Sequence, residues 1–403
     1  MPHPPTMASM ASTRYANPTE LVHGQGVSST LGEEVKRLGG QRVLVVTDAG
    51  VQSAGVLAGA VDSLELAGVP AEVYAETPPD PSFADVDRIV QRILDFGADT
   101  VVSAGGGSAL AAGRTSALAA TNGGRSAAIA GVDRYREPPL LSMCIPTTAG
   151  SGGEVSRQAT LTDDATGKKS GVQGWHNAAR LALLDPSLLV SVPPAQAVAS
   201  GIDALTHALE AFVSRRASWF TDALALPAFD TLFHELPGAI EPAGRDLAVL
   251  ERLQLAASAA NVACGNAGLG LVHGLNKGIT YIFHSRHYPS VPYGLLHAIL
   301  LPWVMEFNVP AAPERSARLA EVMGVQRAGR SDEAVAQAGT QCLREWLRQL
   351  GAPQRLPWER CTEDDVRDIL DETLGRPMAR DNPRPSTAGD LARIVERCLE
   401  GWE

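Results

Sequence analysis

Short β-branched runs alternate with amphipathic segments through the first half of the chain. Arg42–Asp48 (RVLVVTD) predicts a strand that stops at a turn, and VQSAGVLAGAVDSLELAG predicts the helix after it. The cycle repeats in AEVYAETPPDPS, the helical FADVDRIVQRILDFG, and ADTVVSAGGGSALAAGRTSALAA, where a strand runs into glycines and a small-residue helix. Strands alternating with helices predict an α/β unit with a parallel sheet. LLSMCIPTTAGSG predicts a further strand and the polar LTDDATGKKSGVQGW a hairpin, whereas prolines break the pattern in LALLDPSLLVSVPP, where the domain boundary is placed. From Ala195 onward long helical periods take over, in AQAVASGIDALTHALEAFVS, FTDALALPAFDTLFHEL, RDLAVLERLQLAASAANVAC, LLHAILLPWVMEFN and SARLAEVMG. They predict an all-α second domain. The expected division is 1–14 as a mobile tail, 15–192 as the α/β domain and 193–403 as the helical domain.

Composition narrows the classes. With 403 residues, 45% hydrophobic and 20% charged, the chain has enough apolar mass for two packed domains. A formal net charge of -11 offers no basic face to a phosphate backbone, so nucleic-acid partners are set aside. Five widely spaced cysteines, Cys144, Cys264, Cys342, Cys361 and Cys398, form no C-x-x-C pair and argue against a disulfide framework, which fits a reducing cytoplasm. The N-terminus lacks an apolar core of signal-peptide length, and no uncharged stretch is expected to reach the roughly 18 residues of a membrane span. No membrane role is expected.

Candidate chemistry sits at the strand ends and in the helical half. Gly105, Gly106, Gly107 and Ser108 follow a strand and open a helix, where free backbone N–H groups and the helix dipole can hold a pyrophosphate; a plain tight turn reads the same residues equally well. Pro146-Thr147-Thr148-Ala149-Gly150-Ser151-Gly152 supplies a second glycine- and hydroxyl-rich loop beyond a strand end, and two such loops favour a nucleotide site over two turns. Asp48 can accept from a ribose hydroxyl and repel a 2′-phosphate, favouring NAD over NADP, or it can simply cap the helix near Ala49. Asp203 and His207 fall on one face of a helix, four residues apart. With His273 in GLGLVHG they form a ligand set suited to a catalytic metal with an open position, although each residue taken alone reads as a surface pair or a core histidine.

In order and spacing, GGGS, PTTAGSG-x-E-V, GIDALTHALEAF, GLVHG and P-x-G-x-x-x-A-I-L-L-P resemble the signatures of the iron-containing (group III) alcohol dehydrogenases, over most of the chain. The resemblance implies a dinucleotide-binding α/β domain facing a helical domain, a fold shared with dehydroquinate synthase. It implies NAD or NADP and a divalent metal, iron or zinc, in the cleft, with Asp203, His207 and His273 at metal positions. Gly106, Gly107, Ser108, Thr147, Thr148 and Ser151 would border the cofactor, and Lys168 and Lys169 are placed like family lysines near the cleft. Relatives also imply a homo-oligomer.

The chain departs from the family at the site itself. In GGGS-x-x-D-x-x-K the acid and base are replaced by Ala111 and Arg114, the histidine of P-H-G by Tyr293, and the second histidine of H-G-x-x-H by Lys277. A phenol is a poor neutral ligand, so the expectation is three protein ligands and a water, or His284 or His287 swinging into the vacancy unless those two are solvent-facing loop residues, or, with the Lys277 ammonium repelling a cation, no metal at all. Lys277 and Tyr293 become the candidates for proton handling, with Lys277 or Arg114 able to face a carboxylate. The expected function is an NAD(P)-dependent oxidoreductase acting on a hydroxyl or carbonyl group of a small-molecule or peptide substrate, including oxidation of a β-hydroxy acid that then loses carbon dioxide. The alternatives are a non-catalytic scaffold and a lyase resembling dehydroquinate synthase.

Overall fold

The computed structural model describes residues 14–241 and 245–402; of the expected tail over 1–14 only Arg14 falls among them. Among the described residues nine strands, β1 (Glu20–His23), β2 (Val43–Val46), β3 (Ala71–Tyr74), β4 (Thr100–Gly105), β5 (Gly131–Val132), β6 (Leu141–Pro146), β7 (Gln158–Thr162), β8 (Lys169–Gln173) and β9 (Leu181–Leu184), lie in the first half. With them are α1 (Leu31–Arg37), α2 (Ala49–Ala54), α3 (Ala58–Leu66), α4 (Phe83–Phe96) and α5 (Gly107–Thr121). The second half is helical: α6 (Pro194–Val213), α7 (Trp219–Ile240), α8 (Leu247–Ala267), α9 (Leu271–Arg286), α10 (Tyr293–Asn308), α11 (Pro313–Val322), α12 (Asp332–Gln349), α13 (Glu363–Leu374), α14 (Pro377–Asp381) and α15 (Ala388–Glu400).

The main sheet has the order β1-β9-β6-β4-β2-β3 and every pair in it is parallel. β2 and β4 are buried along their whole length, as expected where helices cover both faces of a parallel sheet. Alternation along β2 sends Val43 and Val45 to one core and Leu44 and Val46 to the other. The first core runs without a break through Ile202 and Leu205 of α6 to Leu296 and Ile299 of α10, so the two halves share their largest apolar cluster. At roughly 1.5–3 kcal/mol for each fully buried aliphatic side chain, this shared cluster holds the strand ends against the helices.

β7 and β8 form the expected antiparallel hairpin, with β5 added beside β8. Three expectations need correction. The helix over VQSAGVLAGAVDSLELAG is two helices, because Gly55 adopts a left-handed φ of 66° and ends α2. LALLDPSLLV is not merely a broken linker: its first four residues are β9, which pairs with β1 on one side and β6 on the other. The stretch Tyr293–Ala311 does reach membrane-spanning length and apolarity, but 72% of it is buried in the protein, where α10 packs as a core helix.

Candidate active site

β4 delivers its chain to the first glycine loop with Gly105 at φ 147°, and Gly106 then caps α5 without any side-chain bond to the first helical N–H groups. Those donors are free for an anion. A Cβ on Gly107 would lie 3.0 Å from the Ser151 side chain, so the two glycine-rich loops meet there. The Thr147 N–H donates to the Gly105 carbonyl at 3.1 Å, and the Asn261 amide on α8 donates to the Ser151 carbonyl at 2.7 Å. Gly152, at φ 58°, lies so close to Asn261 that no side chain fits between them. Both expected cofactor loops therefore converge at the carboxyl ends of β4 and β6, against the helical domain. Asp48 follows β2 on the same edge. Its Oδ1 accepts from the N–H groups of Gly50 and Val51, so it does cap α2, while its Oδ2 remains on the side of Gly105. The Ser108 hydroxyl accepts from the Asp80 N–H at 3.3 Å.

Deeper in the cleft, α6 presents Asp203, His207 and Glu210 on one face, α9 adds His273 and α10 adds His297. Asp203, His207 and His273 are buried, and their donor atoms all lie within 4.8 Å of one another. Asp203 Oδ1 is 3.9 Å from His207 Nε2 and 3.8 Å from His273 Nε2. Burial alone would push the Asp203 carboxyl up, but His207, His297 and His273 around it hold it well below the usual carboxylate range. Burial keeps the imidazoles of His207 and His273 from charging. Among the described residues, Asp203 Oδ1 and His273 Nε2, 3.8 Å apart, have no hydrogen-bond partner. Buried polar atoms converging unpaired are costly unless something joins them, and one carboxylate with neutral imidazoles suits iron or zinc.

Glu210 fixes this geometry. Its carboxylate accepts from the N–H groups of Gly270 and Val272 at the start of α9 and from His273 Nδ1 at 2.7 Å, which turns His273 Nε2 toward Asp203.

Comparison with known proteins settles the family. Residues 18–186 match the family model for iron-containing alcohol dehydrogenase, and residues 197–399 match its C-terminal domain. The chain belongs to the iron-containing alcohol dehydrogenases. An NAD-dependent methanol dehydrogenase from Bacillus methanolicus is 31% identical over 387 residues, covering 96% of this chain and 100% of the relative. A lactaldehyde reductase from Escherichia coli (strain K12) is 30% identical, with 96% and 99% covered. The solved structure of a 1,3-propanediol oxidoreductase superposes with a TM-score of 0.91 at 30% identity, covering 96% of this chain and all of the other. The chain is thus an NAD-dependent oxidoreductase of the alcohol and aldehyde type, and the family's nicotinamide cofactor and divalent metal are its cofactors.

The departures from the family pattern can now be placed. Arg114 does not face the cleft: it is 2% exposed and donates to the carbonyls of Leu110, Ser156, Asn177 and Gln158. It is a structural tie between α5 and the start of β7, which removes it as a carboxylate partner. Lys168 reaches across to Glu372 at 2.5 Å and lies over the Tyr281 ring, while the buried lysine is Lys169, held 3.1 Å from Asp80 Oδ1. His284 and His287 sit exposed at the far end of α9, with His284 bonded to the Thr280 carbonyl. At 1.5 Å per residue, His284 is about 16 Å along the helix from His273, so neither fills the vacancy. Lys277 lies one turn after His273 and is 5% exposed; among the described residues it makes no salt bridge. Burial, then the charges of Arg376 and Lys169, bring its ammonium down to about 7. Burial beside Asp203 and Glu210 holds the Tyr293 phenol well above its ordinary value. Glu210 and His297, which stand against the cluster, lie inside the quoted motifs but at positions those motifs do not single out.

Proposed function

We propose that the chain oxidises the hydroxyl group of an anionic substrate with NAD as acceptor, and that the substrate is a β-hydroxy acid, free or at the end of a peptide. The observation that carries this reading is the cationic group beside the donor cluster formed by Lys277 and Lys169, both buried, and the half-buried Arg376. Arg376 donates to the Lys169 carbonyl at 3.1 Å, and only Lys169 and Arg376 have carboxylate partners among the described residues, namely Asp80 and Glu372. Lys277, left without one, invites a carboxylate.

Gly105, Gly106, Gly107 and Ser108 at the N-terminus of α5 would hold the NAD pyrophosphate, Thr147, Thr148 and Ser151 would line it, and Asp48 Oδ2 would accept from a ribose hydroxyl. Lys168 takes no direct part, since it is held by Glu372. Asp203, His207 and His273 hold the divalent ion, which when bound supplies a Lewis acid for an alcohol or carbonyl oxygen. Tyr293, kept protonated by burial, donates a hydrogen bond to the substrate oxygen, Lys277 stays protonated against the substrate carboxylate, and the hydroxyl proton passes to solvent. Bound NAD would supply the acceptor for the hydride of the hydroxyl-bearing carbon, so that the alcohol and NAD would give the carbonyl product, NADH and a proton. A β-keto acid so formed breaks its bond to the carboxyl carbon and releases carbon dioxide, the electron pair staying on the α-carbon as an enolate that is then protonated. The five cysteines are unpaired, which supports a cytoplasmic setting.

The test is NADH formation by the purified protein with matched pairs of β-hydroxy acids and uncharged alcohols of equal length. This reading predicts a kcat/KM favouring the acid, with that preference lost in Lys277→Met. Equal turnover of acid and alcohol by both proteins contradicts it.

A further inference from the structure

Beside the cluster stands a residue that family motifs do not mark. His297 follows Tyr293 by four residues and so shares its face of α10, one turn deeper in the core. Its ring is 0% exposed, and neither nitrogen has a hydrogen-bond partner among the described residues. Nδ1 lies 3.2 Å from Asp203 Oδ1, yet without hydrogen-bond geometry, and the ring centroid is 4.3 Å from that of His273 and 4.9 Å from that of Tyr293. A dry imidazole with both nitrogens idle is costly in a helical core. Asp203 Oδ1 is idle too, and ring nitrogens of His297, His273 and His207 lie 3.2, 3.8 and 3.9 Å from it.

We infer that His297 supplies the metal donor that Tyr293 has withdrawn, so that one carboxylate and three imidazoles hold the ion. The fourth donor has moved by one helical turn along α10. Imidazole is the better neutral ligand for zinc or iron, and the exchange releases the Tyr293 phenol to face the substrate. This inference rests on the reading that the cluster holds a divalent ion.

Zinc retention by the full-length purified protein, dialysed against chelators of graded strength, tests it in wild type, Tyr293→Phe and His297→Gln, with circular dichroism as a check on folding. Tyr293→Phe is expected to retain zinc like wild type. His297→Gln is expected to lose affinity by at least about 100-fold, since loss of an outer partner alone costs 10–100-fold. Retention by His297→Gln equal to wild type would overturn the inference and leave His297 as an ion-pair partner of Asp203. Failure of wild type itself to retain zinc or iron would overturn the metal reading as well, which separates the two. Should His297→Gln not fold, X-ray absorption of zinc-loaded wild type decides: three imidazoles support the inference and two overturn it.

Discussion

Glu210 Oε2 accepts from His273 Nδ1 at 2.7 Å and from the Gly270 N–H at 2.8 Å, so one buried carboxylate caps a helix and aims a ligand. Glu210→Gln keeps the volume but weakens the hold on the imidazole. Metal affinity is expected to fall by about 10–100-fold, read by chelator competition. Glu210→Ala also strands the N–H groups of Gly270 and Val272, and a loss of roughly 2–6 kcal/mol in urea unfolding is expected from two buried donors.

Gly294 sets the distance between α10 and α6. A Cβ there would collide with the Ala199 backbone, which leaves the helices no room to stay as they are. Gly294→Ala is expected to cost about 1–3 kcal/mol by overpacking and to draw Tyr293 and His297 away from Asp203. Thermal unfolding and metal content measured on the same sample should fall together; a stability loss with full metal content would separate the two.

Asp48 divides its two oxygens between tasks. Asp48→Asn keeps an acceptor for the α2 cap, so stability should change by less than about 0.5 kcal/mol, whereas Asp48→Ala should lose about 1 kcal/mol. If Oδ2 meets the ribose, both variants also lose preference for NAD over NADP, measured as the ratio of the two dissociation constants.

Lys277 makes stability depend on pH in a defined direction. Its folded value of about 7 lies below the ordinary lysine value of 10.5, so the unfolded chain holds a proton that the folded chain has released between these values. Stability from this group therefore rises with pH across that window, by at most about 1.4 kcal/mol per unit, and the penalty is complete below pH 7. Lys277→Met should stabilise the protein more at pH 6 than at pH 9 in denaturant titration. A gain that does not vary with pH would place the ammonium in water.

The fold was legible in the sequence where patterns were strong. Val43–Val46 and Thr100–Gly105 are continuous apolar runs, and two buried strands flanked by helices leave few other architectures. β1 was not legible: four residues at a sheet edge, alternately half-buried and exposed, carry little signal. β9 was hidden by the proline that follows Asp185. In the site, Asp203 and His207 stood out because their spacing matches a helical face. His297 did not, because comparison by motif asks which residue replaces a histidine and not which residue lies one turn away. Arg114 shows the converse, since its position in the motif suggested chemistry while four carbonyls hold it in a structural role.

The most direct test follows NADH formation by the metal-loaded protein given NAD and a panel of β-hydroxy acids, in wild type and Asp203→Ala. The account predicts NADH in proportion to substrate consumed, carbon dioxide released in step, and loss of both together with the metal in Asp203→Ala. Cofactor binding without NADH accumulation on any hydroxy acid or alcohol, or turnover unchanged in Asp203→Ala, would contradict it.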